Sequence, residues 1–156
     1  MSGYSDPVFF EDLAIGQTFT TGIAHVTADS IKEFAAMYDP QPMHLDEDAA
    51  KDTFFGQLVG SGWQALCLTM RLAAEANWLS GTPLIGAEVT DIRFKRPMLP
   101  GEQLTVEAEL VDLLPPSKSG RSFAVLLLTT YGNGELLLTQ RWRILMPSRA
   151  VAAKTS

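Results

Sequence analysis

Apolar and polar residues alternate over residues 103–112, QLTVEAELVD, where Leu104, Val106, Ala108 and Leu110 interleave with Thr105, Glu107 and Glu109. A period of two predicts a strand with one face on a core and the other in water. Three further runs read as strands: 84–97 (LIGAEVTDIRFKRP), 122–132 (SFAVLLLTTYG) and 136–146 (LLLTQRWRILM). In the first of these, Ile92 and Phe94 alternate with Asp91, Arg93 and Lys95. The last two are apolar on both faces in places, as expected where a helix covers a sheet and a partner joins it. LPGE, PPSKSG and GNG supply the turns between them. A run rich in Thr and aromatics at 17–26, QTFTTGIAHV, predicts one earlier strand.

The period changes in TADSIKEFAAMY (27–38), where Ile31, Phe34, Ala35 and Tyr38 make one apolar helical face. Thr27 is the expected N-cap, and Pro40 ends the helix because the residue before a proline is driven out of helical space. After a loop, 46–54 predicts a short helix with Asp46 as its cap and acids in its first turn. GQLVGSG then leads into the longest helix, 63–80, with Gly81 at its C′ position and Pro83 beyond. That helix is apolar almost all round, which predicts burial on most sides. A strand, then helices, then four antiparallel strands with one long helix to wrap is an α+β pattern. The tail, 148–156, is expected to fray.

A length of 156 residues predicts one domain over 1–156. Apolar residues make up 46% and the mean hydropathy is +0.08, which excludes disorder and suggests a subunit with more than its own core to bury. A net charge of −6 argues against nucleic acid and against anionic membranes. A large anionic ligand would therefore need a local basic cluster. The single cysteine, Cys67, permits no intrachain disulfide. The first residues lack the basic-then-apolar pattern of a signal peptide, and the apolar run at 62–79 is broken by Gln64, Arg71, Glu75 and Asn77, which does not suit a membrane span. The expectation is a cytoplasmic protein with no membrane partner.

Three constellations could carry chemistry. Asp39 and His44 stand five residues apart on the proline-stiffened MYDPQPMHLD, and a carboxylate and an imidazole that converge can hold a water and take its proton. The ordinary alternative is a helix-ending Asp39 and a satisfied, half-buried His44. Gly62, at the start of the long helix, could offer a free backbone N–H at the positive end of the helix dipole to a developing oxyanion. A plain loop is the competing reading. Arg93, Lys95 and Arg96 could meet the phosphates of a coenzyme A tail, or form a solvated strand face. Cys67 lies between Leu66 and Leu68 and is expected in the core, and His25 is expected to be structural. One cysteine and two histidines give no metal-ligand spacing, and no glycine-rich phosphate motif follows a strand.

FEDLAIGQTF, YDPQPMHLDEDAA, FFGQLVGSGWQALCLTMRL and VTDIRFKRPMLPGEQLTV, in that order over about residues 8–147, resemble the MaoC-like acyl dehydratases, the family that includes (R)-specific enoyl-CoA hydratases. The resemblance implies a hot-dog fold, an antiparallel sheet wrapped around a long central helix, and a homodimer or dimer of dimers. It implies an acyl-CoA or acyl-carrier-protein thioester as substrate, with no separate cofactor or metal. Asp39 and His44 correspond to the pair that activates water and returns a proton to the α carbon, and Gly62 to the oxyanion-hole N–H. Gln41, Met43, Ser61 and Trp63, with the basic residues, are the expected substrate contacts, and Phe55 is a further wall candidate. The sequence departs from the family at Gln41, where asparagine is usual, at Ser61, where histidine often precedes the glycine, and near Met70, where a serine often lines the site. Two other readings stay open: a hot-dog thioesterase, and a non-catalytic binding or partner subunit.

Overall fold

Residues 6–151 are described by the structure, a computed structural model. Five strands form one path in the order β1-β4-β5-β6-β3, all antiparallel: Thr18–Thr20 (β1), Ile85–Phe94 (β3), Gln103–Leu114 (β4), Ser122–Gly132 (β5) and Glu135–Met146 (β6). A two-residue strand, Ala24–His25 (β2), also pairs with β4, so the single run predicted at 17–26 is broken in two, and His25 is exposed on β2. The alternation read in β4 holds: Leu104, Val106, Ala108 and Leu110 are all at most 3% exposed and line the core. Asn133 and Gly134 both have positive φ, the geometry of a two-residue turn whose twist suits the β5–β6 hairpin. Register shifts in β3, β4 and the β5–β6 pair add local twist, which helps this sheet curl around a helix.

The helix it wraps, Gly62–Ala76 (α4), buries Gln64, Ala65, Thr69, Leu72 and Ala73. Thr69 is tied to the sheet by a buried hydroxyl pair with Thr130, 2.7 Å apart. α4 is shorter than the predicted 63–80. It stops at Asn77, which takes the left-handed conformation (φ 53), an option that Asn reaches more easily than most residues, so Gly81 is not the cap. Burial on most sides is also corrected: Trp63 is 63% exposed, and Cys67 and Met70 are exposed with it. The sheet of one chain reaches one side of a helix, and these residues share the other. The apolar Ile85, Val89, Ile92 and Phe94 of the edge strand β3 are likewise exposed.

Ala28–Tyr38 (α1) is capped by Thr27, whose hydroxyl accepts the Ser30 N–H, and it buries Ile31 and Ala35. Tyr38, expected on the same face, is 66% exposed, because it lies in the last turn, beyond the packed part of the helix. Two single-turn helices follow, Pro42–Leu45 (α2) and Glu47–Ala50 (α3). The first stands where a loop was expected, and the second is shorter than the predicted 46–54, with Asp46 as its cap. The predicted fraying of 148–156 fails for its first residues. The Ser148 hydroxyl donates to Glu11, and Arg149 donates twice to Asp12 and covers the Phe9 ring. Residues 152–156 lie outside the described range. No described helix is long and apolar enough to cross a membrane.

Candidate active site

The two prolines of the loop do different work. Pro40 closes α1, leaving Asp39 as its C-cap, and Pro42 opens α2, where a fixed φ and a missing N–H cost nothing. The single turn of α2 directs His44 inward, so that its side chain is 7% exposed. Its Nδ1 lies 2.7 Å from the Val59 carbonyl oxygen. A carbonyl can only accept, so Nδ1 carries a proton, and whenever the ring is neutral Nε2 is the bare nitrogen. That nitrogen faces Asp39 Oδ2 at 3.3 Å. Two acceptors this close are complementary to a donor that bridges them, and a water molecule has two protons to give.

Asp39 is braced from two sides. The Ser61 hydroxyl donates to its Oδ2 at 2.6 Å and the Gln41 amide to its Oδ1 at 2.5 Å. Burial raises the pKa of this carboxyl, but these two hydrogen bonds, joined by the attraction of His44 when its ring is protonated, outweigh it and hold the group below the usual carboxylate range. Ser61 itself is fully buried, and as the N-cap of α4 it also accepts the Trp63 N–H. Gln41 and Ser61, expected to touch substrate, both hold the carboxylate, and neither is among the residues that line the cavity beside it.

Ser61→Ala is therefore expected to cost about 1–3 kcal/mol at neutral pH, from a lost cap and a lost hydrogen bond to a charged group. A depressed folded pKa contributes stability above the unfolded value that is lost as pH falls through the folded one. The gap between variant and wild type should therefore narrow in acid, which urea unfolding at neutral and acid pH would measure.

The Gly62 N–H, the first of α4, donates to nothing among the described residues and lies at the positive end of the helix dipole. A cavity of about 460 Å³ opens on Asp39, His44 and Gly62, within the range of small-molecule sites. Met43, Phe55, Trp63, Lys95 and Arg96 also line it, whereas Arg93 is exposed on β3 and is not among its lining residues. A larger cavity, about 590 Å³, lies between Phe9, Ile85, Arg121 and Met146 and contains no acid–base pair, so chemistry rather than size identifies the site. Sequence reasoning missed seven of the lining residues, among them Val59, Phe94, Met98 and Leu137. Phe94 had a readable signal: it sits within the VTDIRFKRPMLPG stretch, between two of the cations expected to contact substrate, although its alternation with them reads only as a strand.

A model of the MaoC-like domain matches residues 11–125. The uncharacterized protein YdeM of Bacillus subtilis is 31% identical over 126 residues, spanning 81% of this chain and 89% of that one. The crystal structure of a MaoC-like dehydratase from Rhodospirillum rubrum is 37% identical with a TM-score of 0.80, over 91% of this chain and 98% of that one. The R-hydratase PhaJ1 of Pseudomonas aeruginosa is 26% identical with a TM-score of 0.73, over 92% and 88%. The curled sheet and helix are the hot-dog fold of these structures, and the family match covers well over half of the residues: the chain belongs to the MaoC-like dehydratase domain family.

Proposed function

We propose that this protein is a hydro-lyase that reversibly hydrates a trans-2-enoyl thioester, of coenzyme A or acyl-carrier protein, to the (R)-3-hydroxyacyl thioester. The observation that carries this reading is His44 Nε2 facing Asp39 Oδ2 at 3.3 Å, in one cavity with a Gly62 N–H that has no partner among the described residues. In the forward direction a water held by these two acceptors adds its oxygen to C3, and the Asp39–His44 pair takes its proton. The electron pair of the alkene moves onto the thioester carbonyl as an enolate, whose oxygen the Gly62 N–H stabilises. The pair then returns a proton to C2, so that the elements of one water are added on one face.

The thioester is substrate, and the scheme requires no further cofactor. The exposed Lys95 lines the cavity, which supports it as a contact for a phosphate of the carrier group. The exposed apolar residues of α4 and β3 support a second copy of the chain as the partner that covers them. Membership of a family with R-hydratase structures among its solved relatives supports the reaction class. The test follows loss of conjugated-enoyl absorbance with short, medium and branched trans-2-enoyl-CoA thioesters. Hydration of at least one is expected. An intact alkene with released free CoA would replace this reading with a thioesterase, and silence across the panel would remove the enoyl-CoA assignment.

A further inference from the structure

Building on that reading, we propose that Arg96 and Glu102 are positioning residues for catalysis: they clamp the turn whose Met98 carbonyl holds the segment bearing all three catalytic contacts. The segment is 59–62. Val59 accepts from His44 Nδ1, Ser61 donates to Asp39 Oδ2, and Gly62 presents the free N–H. Up to the start of α4 it belongs to no helix or strand of the main sheet, so something else must set its position. Between the contacts, the Gly60 N–H donates to the Met98 carbonyl at 2.7 Å, as one isolated antiparallel bridge. A Cβ at Gly60 would stand 2.5 Å from Met98 Cε and 3.5 Å from Ile31 Cγ1, so any larger residue would have to displace the end of the Met98 side chain.

Met98 sits in the β3–β4 turn, and two side chains close that turn around it. Glu102, 5% exposed, accepts the Leu99 N–H through Oε2 at 2.7 Å and pairs through Oε1 with Arg96 Nη2 at 2.7 Å. Arg96 Nη2 also donates to the Gly132 carbonyl, and Nη1 to the Pro97 carbonyl. Gly132 leaves just enough room, since a Cβ there would lie 2.8 Å from Arg96 Nη2 and 2.9 Å from Glu102 Oε1. A substrate phosphate drawing Arg96 away would strand a buried carboxylate without its counter-charge, a costly exchange. Arg96 is thus committed inside the protein, and its edge in the cavity is a by-product of the clamp. The path runs from Arg96–Glu102 through Met98 to Gly60, and from there to both neighbours that hold the acid–base pair and the oxyanion donor.

The test uses Arg96→Lys and Glu102→Gln in the full chain, with folding checked by circular dichroism. Glu102→Gln keeps the acceptor for Leu99 and carries the test if the arginine variant does not fold. A misplaced template costs turnover rather than binding, so kcat should fall about 10- to 100-fold with KM within about two-fold of wild type. Independently of activity, nitrogen-15 NMR of the histidine rings should show a shifted, faster-exchanging His44 Nδ1–H. That readout stands even if no enoyl thioester is turned over. A raised KM with unchanged kcat would overturn the proposal in favour of a phosphate contact. An unchanged His44 resonance in both folded variants would overturn it outright.

Discussion

Asp39→Asn is expected to lower turnover of an enoyl thioester by about 10²- to 10⁴-fold, the usual range for loss of a positioned general base. The amide has the shape of the carboxylate and still has an oxygen to accept the Ser61 hydroxyl, so the loop should keep its form. With that oxygen at the Oδ2 position, which also faces His44 Nε2, the NH₂ group takes the Oδ1 position, where the exposed Gln41 can turn its amide oxygen toward it. What is lost is the charge: an amide oxygen is a far weaker base than a carboxylate, so the pair no longer draws a proton from water. Kinetics with any member of the panel that the wild type hydrates would measure the loss. Unaltered thermal unfolding together with near-wild-type turnover would remove Asp39 from the catalytic pair.

Gly62→Ala should nearly match it. The new Cβ would stand 2.6 Å from Phe94 Cε1 and 3.0 Å from both Cδ1 and Cζ, well inside contact distance. Phe94 is half exposed on the edge strand and can yield, so the overpacking should cost about 1 kcal/mol, the low end for such insertions. Turnover has no such relief, because the methyl group crowds the approach to the Gly62 N–H. A drop of about 10²- to 10³-fold in kcat is expected, comparable to losing one oxyanion donor. Adding Phe94→Leu should restore stability without restoring turnover, and urea unfolding beside kcat for the single and double variants separates the two effects. Recovery of both together would mean that the glycine serves packing alone.

Much of this architecture is legible in the chain. The alternation in β4, the Thr27 cap and the Asn133–Gly134 turn are local patterns, and each appears where its pattern places it. Asp39 and His44 were legible as a pair because five residues and two prolines confine them to one short loop. Ser61 was not legible as the brace of Asp39, because the two are 22 residues apart and a serine before a helix already has a complete explanation as a cap. Cys67 was misplaced for a different reason. An apolar residue on a helix declares that something should cover it, without declaring that the same chain does so.

Arg96 carries the same lesson for charge. Beside Arg93 and Lys95 it reads as one of three cations awaiting an anion, and its buried partner Glu102 reads as an ordinary turn acid. Periodicity and residue type by themselves determined most of the strands, the central helix and the groups able to exchange a proton, since these depend on a segment and its immediate neighbours, and the quoted motifs carried the resemblance to the family. Which nitrogen of His44 is bare, whether Arg96 is free and which side of α4 stays open were decided only by the tertiary structure. Each rests on a contact with a distant part of the chain: the Val59 carbonyl, the Gly132 carbonyl and the curl of the sheet.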